Sequence, residues 1–241
     1  MNEPLFYPGI TADILHCLQV FLLYIIPCVI ILLLIRGLTH IPQYVFRKCL
    51  HLVAFTCVTI MISAARSWQA VSLVSVMIAL VIYPILYYAE RYPQYSTLFV
   101  EKRPGEIRRS LLFLFFMFAF VTALAWGVFD RPDAAAASVL MWGTGDAAAA
   151  LTGIPFGRHK VHLRHTDGKK SWEGTCAMFL MSLCTGLIFY CMYGHERFGI
   201  LLLRIIPAAL CGALCELFSP GEYDTVTVPL AILIVLLVMN I

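Results

Sequence analysis

The chain is a succession of apolar runs, each close to 20 residues long, with short polar segments between them. A helix needs about 20 such residues to cross the ~30 Å hydrocarbon core of a bilayer, where it satisfies its own backbone hydrogen bonds. Eight runs fit that length: 14–35, 49–65, 68–89, 110–128, 134–152, 173–193, 199–217 and 226–241. The second is short and the fifth is interrupted by polar residues. With 61% of residues hydrophobic and 13% charged, the chain lies far from a soluble domain, which is near half apolar and a quarter charged. The sequence predicts an all-α, polytopic integral membrane protein of about eight transmembrane helices, forming one domain over 1–241. The first Lys or Arg is Arg36, and the first run is too long for a signal-peptide core, so it reads as a retained helix.

Charge orients these helices. Thirteen of the 17 Lys and Arg residues fall in segments 36–48, 90–109 and 153–172. Eight spans put those segments, together with 218–225, on one side. Arg66, Arg131 and Arg197 are left on the other, and Arg204 lies inside a span. Basic residues stay cytoplasmic, so both termini are expected on the non-cytoplasmic side. The polar clusters that carry chemistry then face the cytoplasm, where nucleotides are found. The nine cysteines form no C-x-x-C pair and lie mostly within apolar runs, so they read as small apolar residues rather than disulfide or zinc ligands.

Five polar clusters stand out. Asp146 follows Gly145 in Trp142-Gly143-Thr144-Gly145-Asp146, inside the fifth span. A carboxylate there is costly unless paired or hydrated, which makes it a functional candidate, against the plainer reading of a hydrogen bond to a neighbouring helix. Gly153-Ile154-Pro155-Phe156-Gly157-Arg158-His159-Lys160 suits a turn whose backbone N–H groups wrap phosphate oxygens; an ordinary interhelical turn is the plainer alternative. Lys170-Ser171-Trp172-Glu173-Gly174 opens the sixth span. Ser171 and Glu173 suit a helix start, while Lys170 suits a phosphate and Glu173 a metal or a proton. Phosphate attraction accounts for His159, His162 and His165 better than zinc does, since no Cys or paired carboxylate accompanies them. Arg47-Lys48 stands at the mouth of the second span with His51 one turn on, placed to orient a phosphate or carry a proton. Glu216 and Asp224 bracket the last loop and supply the oxygens that Mg²⁺ prefers.

In this order the clusters resemble the membrane family of dolichol kinase, phytol kinase and the CTP-dependent diacylglycerol kinases. Phosphatidate cytidylyltransferases are its wider relatives. The family's R-K-x-x-H, G-D-x-x-A, G-x-x-x-G-x-x-K, K-[ST]-x-E-G and E…D-D-N-x-x-V-P elements become Arg47-Lys48/His51, Gly145-Asp146/Ala149, Gly153/Gly157/Lys160, Lys170-Ser171/Glu173-Gly174 and Glu216/Asp224/Val228-Pro229. The resemblance covers about residues 47–241. It departs where D-D-N reads Tyr223-Asp224-Thr225. The cytidylyltransferases' basic C-terminal signature is also missing, since no Lys or Arg follows Arg204, and this favours the kinase branch.

The resemblance implies phosphoryl transfer from CTP to a membrane lipid alcohol: a polyprenol, phytol or diacylglycerol. Mg²⁺ would be held by Asp146 with Glu216 or Asp224. Lys160, Lys170 and Arg158 would neutralise the triphosphate, with Arg47, Lys48, Gly145, Gly153 and Gly157 also on the substrate side. Asp224, Glu173 or His51 would take the alcohol's proton. The expected partners are a lipid, a nucleotide and, given small-residue helix faces, a second copy of the chain; no nucleic acid is expected. Cytidylyl transfer to phosphatidate is the alternative chemistry. A transporter fits less well, because the charges gather at one face.

Overall fold

The computed structural model describes residues 9–92, 95, 105–161, 170–193, 198–219 and 223–239. Within them the chain forms eight helices: α1 (Ile10–Leu38), α2 (Gln43–Ala64), α3 (Trp68–Ala89), α4 (Glu106–Thr122), α5 (Pro132–Phe156), α6 (Trp172–Tyr193), α7 (Phe198–Phe218) and α8 (Asp224–Val238). A π-helical turn, Ala123–Val128, carries α4 onward. Among the described residues the extended structure amounts to one antiparallel bridge between Lys160 and Ser171. Six helices are long and apolar enough to cross a membrane: α1, α2, α3, α4 with its π turn, α6 and α7. The other two are α5, whose alanines are interspersed with Asp133, Asp146 and threonines, and α8, with 15 residues.

Each apolar run became a helix, but several helices outrun their runs. The segment 43–48, with Gln43, Arg47 and Lys48, starts α2 ahead of the apolar stretch, because helical hydrogen bonding does not stop where hydropathy does. The largest difference is at α5, which continues through Gly153 to Phe156. The expected glycine turn therefore begins only at Gly157, just after Pro155, a residue that cannot keep a helix ladder intact.

The centre of the bundle is α5. It packs on α2, α6 and α8 and touches α4. Residues Ala134 to Val139 are all buried, since alanine lets neighbouring backbones come close. Gly145 is where α6 approaches nearest: a β-carbon there would collide with the Ser182 hydroxyl. Ser182 donates instead to the Met141 carbonyl at 2.8 Å, satisfying a polar group in the core. Phe55, Phe118 and Trp142 lock α2, α4 and α5 by edge-on contacts, with centroids 4.5 to 5.9 Å apart. Helix α1 packs on α2 and α3 through Ile10, Asp13, Cys17 and Phe21. From Leu22 onward it exposes mostly apolar side chains, the surface a lipid-facing helix presents.

The two ends of the bundle differ chemically. At one end Asp13 accepts the Ser67 hydroxyl at 2.5 Å and the Arg66 N–H at 3.3 Å. On the same side, Arg204 donates to the Tyr190 hydroxyl at 2.7 Å and to Asp133 at 3.4 Å, while Arg131 holds Asp133 at 2.7 and 2.9 Å. The other end gathers the starts of α2, α4, α6 and α8 with the ends of α5 and α7, and it holds the described residues of the clusters singled out above. All nine cysteines are free thiols.

Candidate active site

Successive residues on a helix point about 100° apart, so Arg47 and Lys48 serve different neighbours. Lys48 reaches α5 and is held by both oxygens of Asp146, at 2.7 and 2.9 Å. Arg47 turns to α4 and pairs with Glu106 at 3.3 Å. His51 sits one turn beyond Arg47, its Nδ1 2.9 Å from the Arg47 carbonyl. A carbonyl accepts, so Nδ1 carries the proton and Nε2 keeps its lone pair.

Lys170, immediately before α6, forms the second half of the site. Its Nζ lies 2.9 Å from Glu216 Oε1 on α7 and 3.5 Å from Asp224 Oδ2 on α8, and it also donates to the Glu216 carbonyl. The two halves meet electrostatically. The charges of Asp146, Glu216 and Asp224 act on one another, and Lys170 acts on all three. With all five groups ionised, three carboxylates around two ammonium groups carry one net negative charge.

The stretch between these halves is closed by packing. Ser171 accepts the Gly174 N–H at 3.2 Å, the cap expected at the start of α6. A β-carbon on Gly157 would lie 2.8 Å from that of Ser171, and one on Gly153 would lie 3.1 Å from its hydroxyl. These glycines therefore bring α5 against the start of α6. Val161 donates to the Lys170 carbonyl at 2.9 Å and Trp172 to that of His159 at 3.1 Å. Glu173 then fastens the turn. It accepts the N–H of Arg158 at 3.2 Å and of His159 at 3.1 Å, and its Oε1 is 2.6 Å from His159 Nδ1. Lys160 Nζ reaches the Gly153 carbonyl at 3.4 Å.

The structure thus brings Lys48, His51, Asp146, Lys170, Glu216 and Asp224 together. It places Gly157, Arg158 and Lys160 in the adjoining turn, with Gly153 in the last turn of α5 and Glu173 in the first turn of α6. Gly145 faces α6, and Arg47 is directed to Glu106. His162 and His165 lie outside the described residues. Sequence reading missed Glu106, which nothing in a helix-opening Glu announces, and the Asp133–Arg204–Tyr190 network. For the latter, a signal existed in an arginine lodged inside an apolar run.

The donor set suits a hard divalent cation bound with phosphates. Carboxylate oxygens are what Mg²⁺ takes, and it leaves much of its coordination to phosphates and water. Asp146, with Glu216 or Asp224, would hold it. Among the described residues no three His, Cys, Asp or Glu side chains form a ready-made metal site.

Comparison with known proteins gives one line of similarity. The chain is 35% identical over 102 residues to a phytol kinase of Synechocystis sp., which covers 41% of this chain and 41% of that protein. The match thus spans about two fifths of the relative's length. No family model matches the chain, and no solved structure does.

Proposed function

We propose that this protein is a lipid kinase that transfers the γ-phosphoryl group of CTP to the hydroxyl of a membrane lipid alcohol. The observation that carries the reading is the Lys48–Asp146 and Lys170–Glu216–Asp224 cluster at one end of a membrane-type bundle. Similarity to a phytol kinase makes an isoprenoid alcohol the first substrate class to try. On this reading all eight helices span the bilayer, the clustered end faces the cytoplasm, and the alcohol arrives sideways from the lipid.

In the reaction the alcohol oxygen bonds to the γ-phosphorus and the bond to the β-phosphate oxygen breaks, releasing CDP. Such transfer depends on positioning and charge stabilisation. Lys48, Lys170 and Lys160 bind phosphate oxygens. The glycine-packed turn, fastened by Glu173, keeps Lys160 and Lys170 in place. Asp146, with Glu216 or Asp224, would hold Mg²⁺, which would draw charge off the phosphates. His51, with Nδ1 committed to the Arg47 carbonyl, offers Nε2 to the alcohol's proton; Asp224 is the alternative acceptor.

The test is to give the purified protein Mg²⁺, a panel of phytol, polyprenol and diacylglycerol, and CTP labelled at the γ- or the α-phosphate. Label in lipid from the γ position alone is the expected result. Label from the α position makes the protein a cytidylyltransferase. Failure to bind CTP at all overturns the nucleotide reading.

A further inference from the structure

We propose that Lys48 and Lys170 act as resident counter-ions that a divalent metal must displace, so that metal and nucleotide enter together and neither binds well alone. This rests on the kinase reading and extends it from which residues bind to how binding is ordered. An ammonium group has three N–H donors. Lys170 spends them on Glu216 Oε1 at 2.9 Å, Asp224 Oδ2 at 3.5 Å and the Glu216 carbonyl. Lys48 is gripped by both oxygens of Asp146. The five side chains Lys48, Lys170, Asp146, Glu216 and Asp224 are 13 to 29% exposed, so water reaches the carboxylates only in part and a cation beside them offsets the rest of the cost.

A metal at the same oxygens would stand within a few ångströms of an ammonium of like sign, and the two repel strongly at that range. The lysines must therefore leave as the metal arrives. Leaving requires another anion, and the triphosphate supplies one within reach of a flexible four-carbon stem. Carboxylates pass from lysine to metal while lysine passes from carboxylate to phosphate. Linkage makes the effect reciprocal: nucleotide tightens metal by the factor that metal tightens nucleotide.

The experiment uses the full chain in detergent, with Mn²⁺ as the metal probe read by electron paramagnetic resonance, with and without CTP. Wild type is expected to bind Mn²⁺ weakly alone and about tenfold or more tightly with CTP, a coupling of ordinary allosteric size. Lys170→Gln is expected to bind Mn²⁺ more tightly than wild type without CTP and to lose most of the CTP-induced gain. Glu216→Gln, which leaves Lys170 with one charged partner in place of two, is expected to bind CTP more tightly than wild type without metal, and it decides the matter if Lys170→Gln does not fold. Equal or weaker Mn²⁺ binding by folded Lys170→Gln overturns the proposal. Tighter Mn²⁺ binding by Lys170→Gln, in a protein that never binds CTP, leaves the counter-ion role standing and overturns the kinase reading instead.

Discussion

Lys48 and Asp146, 98 positions apart in the chain, meet in a two-pronged ion pair that ties α2 to the middle helix of the bundle. The pair is half structural and half chemical. It anchors the clustered end, and it puts a carboxylate and an ammonium where a phosphate and a metal would be handled.

Asp146→Asn keeps the shape and removes the charge. It is expected to lower lipid phosphorylation by about 100-fold or more, the scale on which a charge-stabilising group acts in a transition state. Labelled lipid product per folded protein is the measurement, and full activity would end the assignment of Asp146.

Glu173 separates a positioning role from a proton-accepting one. Because it holds two backbone N–H groups and His159, Glu173→Ala is expected to loosen the turn and raise KM for CTP about tenfold, with a smaller change in kcat. Loss of kcat with KM unchanged would instead make Glu173 the proton acceptor. His159→Ala should show the same pattern more weakly.

Gly145→Ala drives a methyl group into the Ser182 hydroxyl. The expected cost is about 1–3 kcal/mol of stability, the usual price of overpacking. Ser182→Ala in the same chain should restore part of it, and a non-additive cycle of melting midpoints would show it.

The far end should behave as structure alone. Arg204 is 2% exposed and leans on Tyr190 and Asp133. Arg204→Met is expected to destabilise the protein by about 2–4 kcal/mol, as losing one partner of a buried charge network does. KM for CTP should not move. A rise in KM would tie that end to the site.

The eight helices of the described residues were legible as apolar runs, and six of them are long and apolar enough to cross a membrane. Among the described residues, Arg47 and Lys48 of the first basic segment meet Glu106 and Asp146 at the end of the bundle where Lys170 also lies. Helix ends were less legible: hydropathy marks where lipid stops, whereas Gln43 and Gly153 show that hydrogen bonding carries on. In the site, Asp146, Lys170, Glu216 and Asp224 stood out because charge beside apolar runs needs a reason. Their pairings did not. Arg47 and Lys48 look alike in sequence, and only the 100° step between them sends one to Glu106 and the other to Asp146. The glycines have a packing role that their spacing does not show. Their missing β-carbons make room for Ser171, a contact with a residue 14 to 18 positions away that spacing does not reveal.

The antiparallel bridge between Lys160 and Ser171 has a consequence for how the site can move. Val161 donates to the Lys170 carbonyl beside it, so the backbones of Lys160 and Lys170, ten positions apart in the chain, are held side by side. Trp172 closes the same ladder from the first turn of α6 onto the His159 carbonyl. A shift of α6 therefore carries both lysines with it. The two cations travel as one unit with that helix, and neither backbone can be displaced without the other.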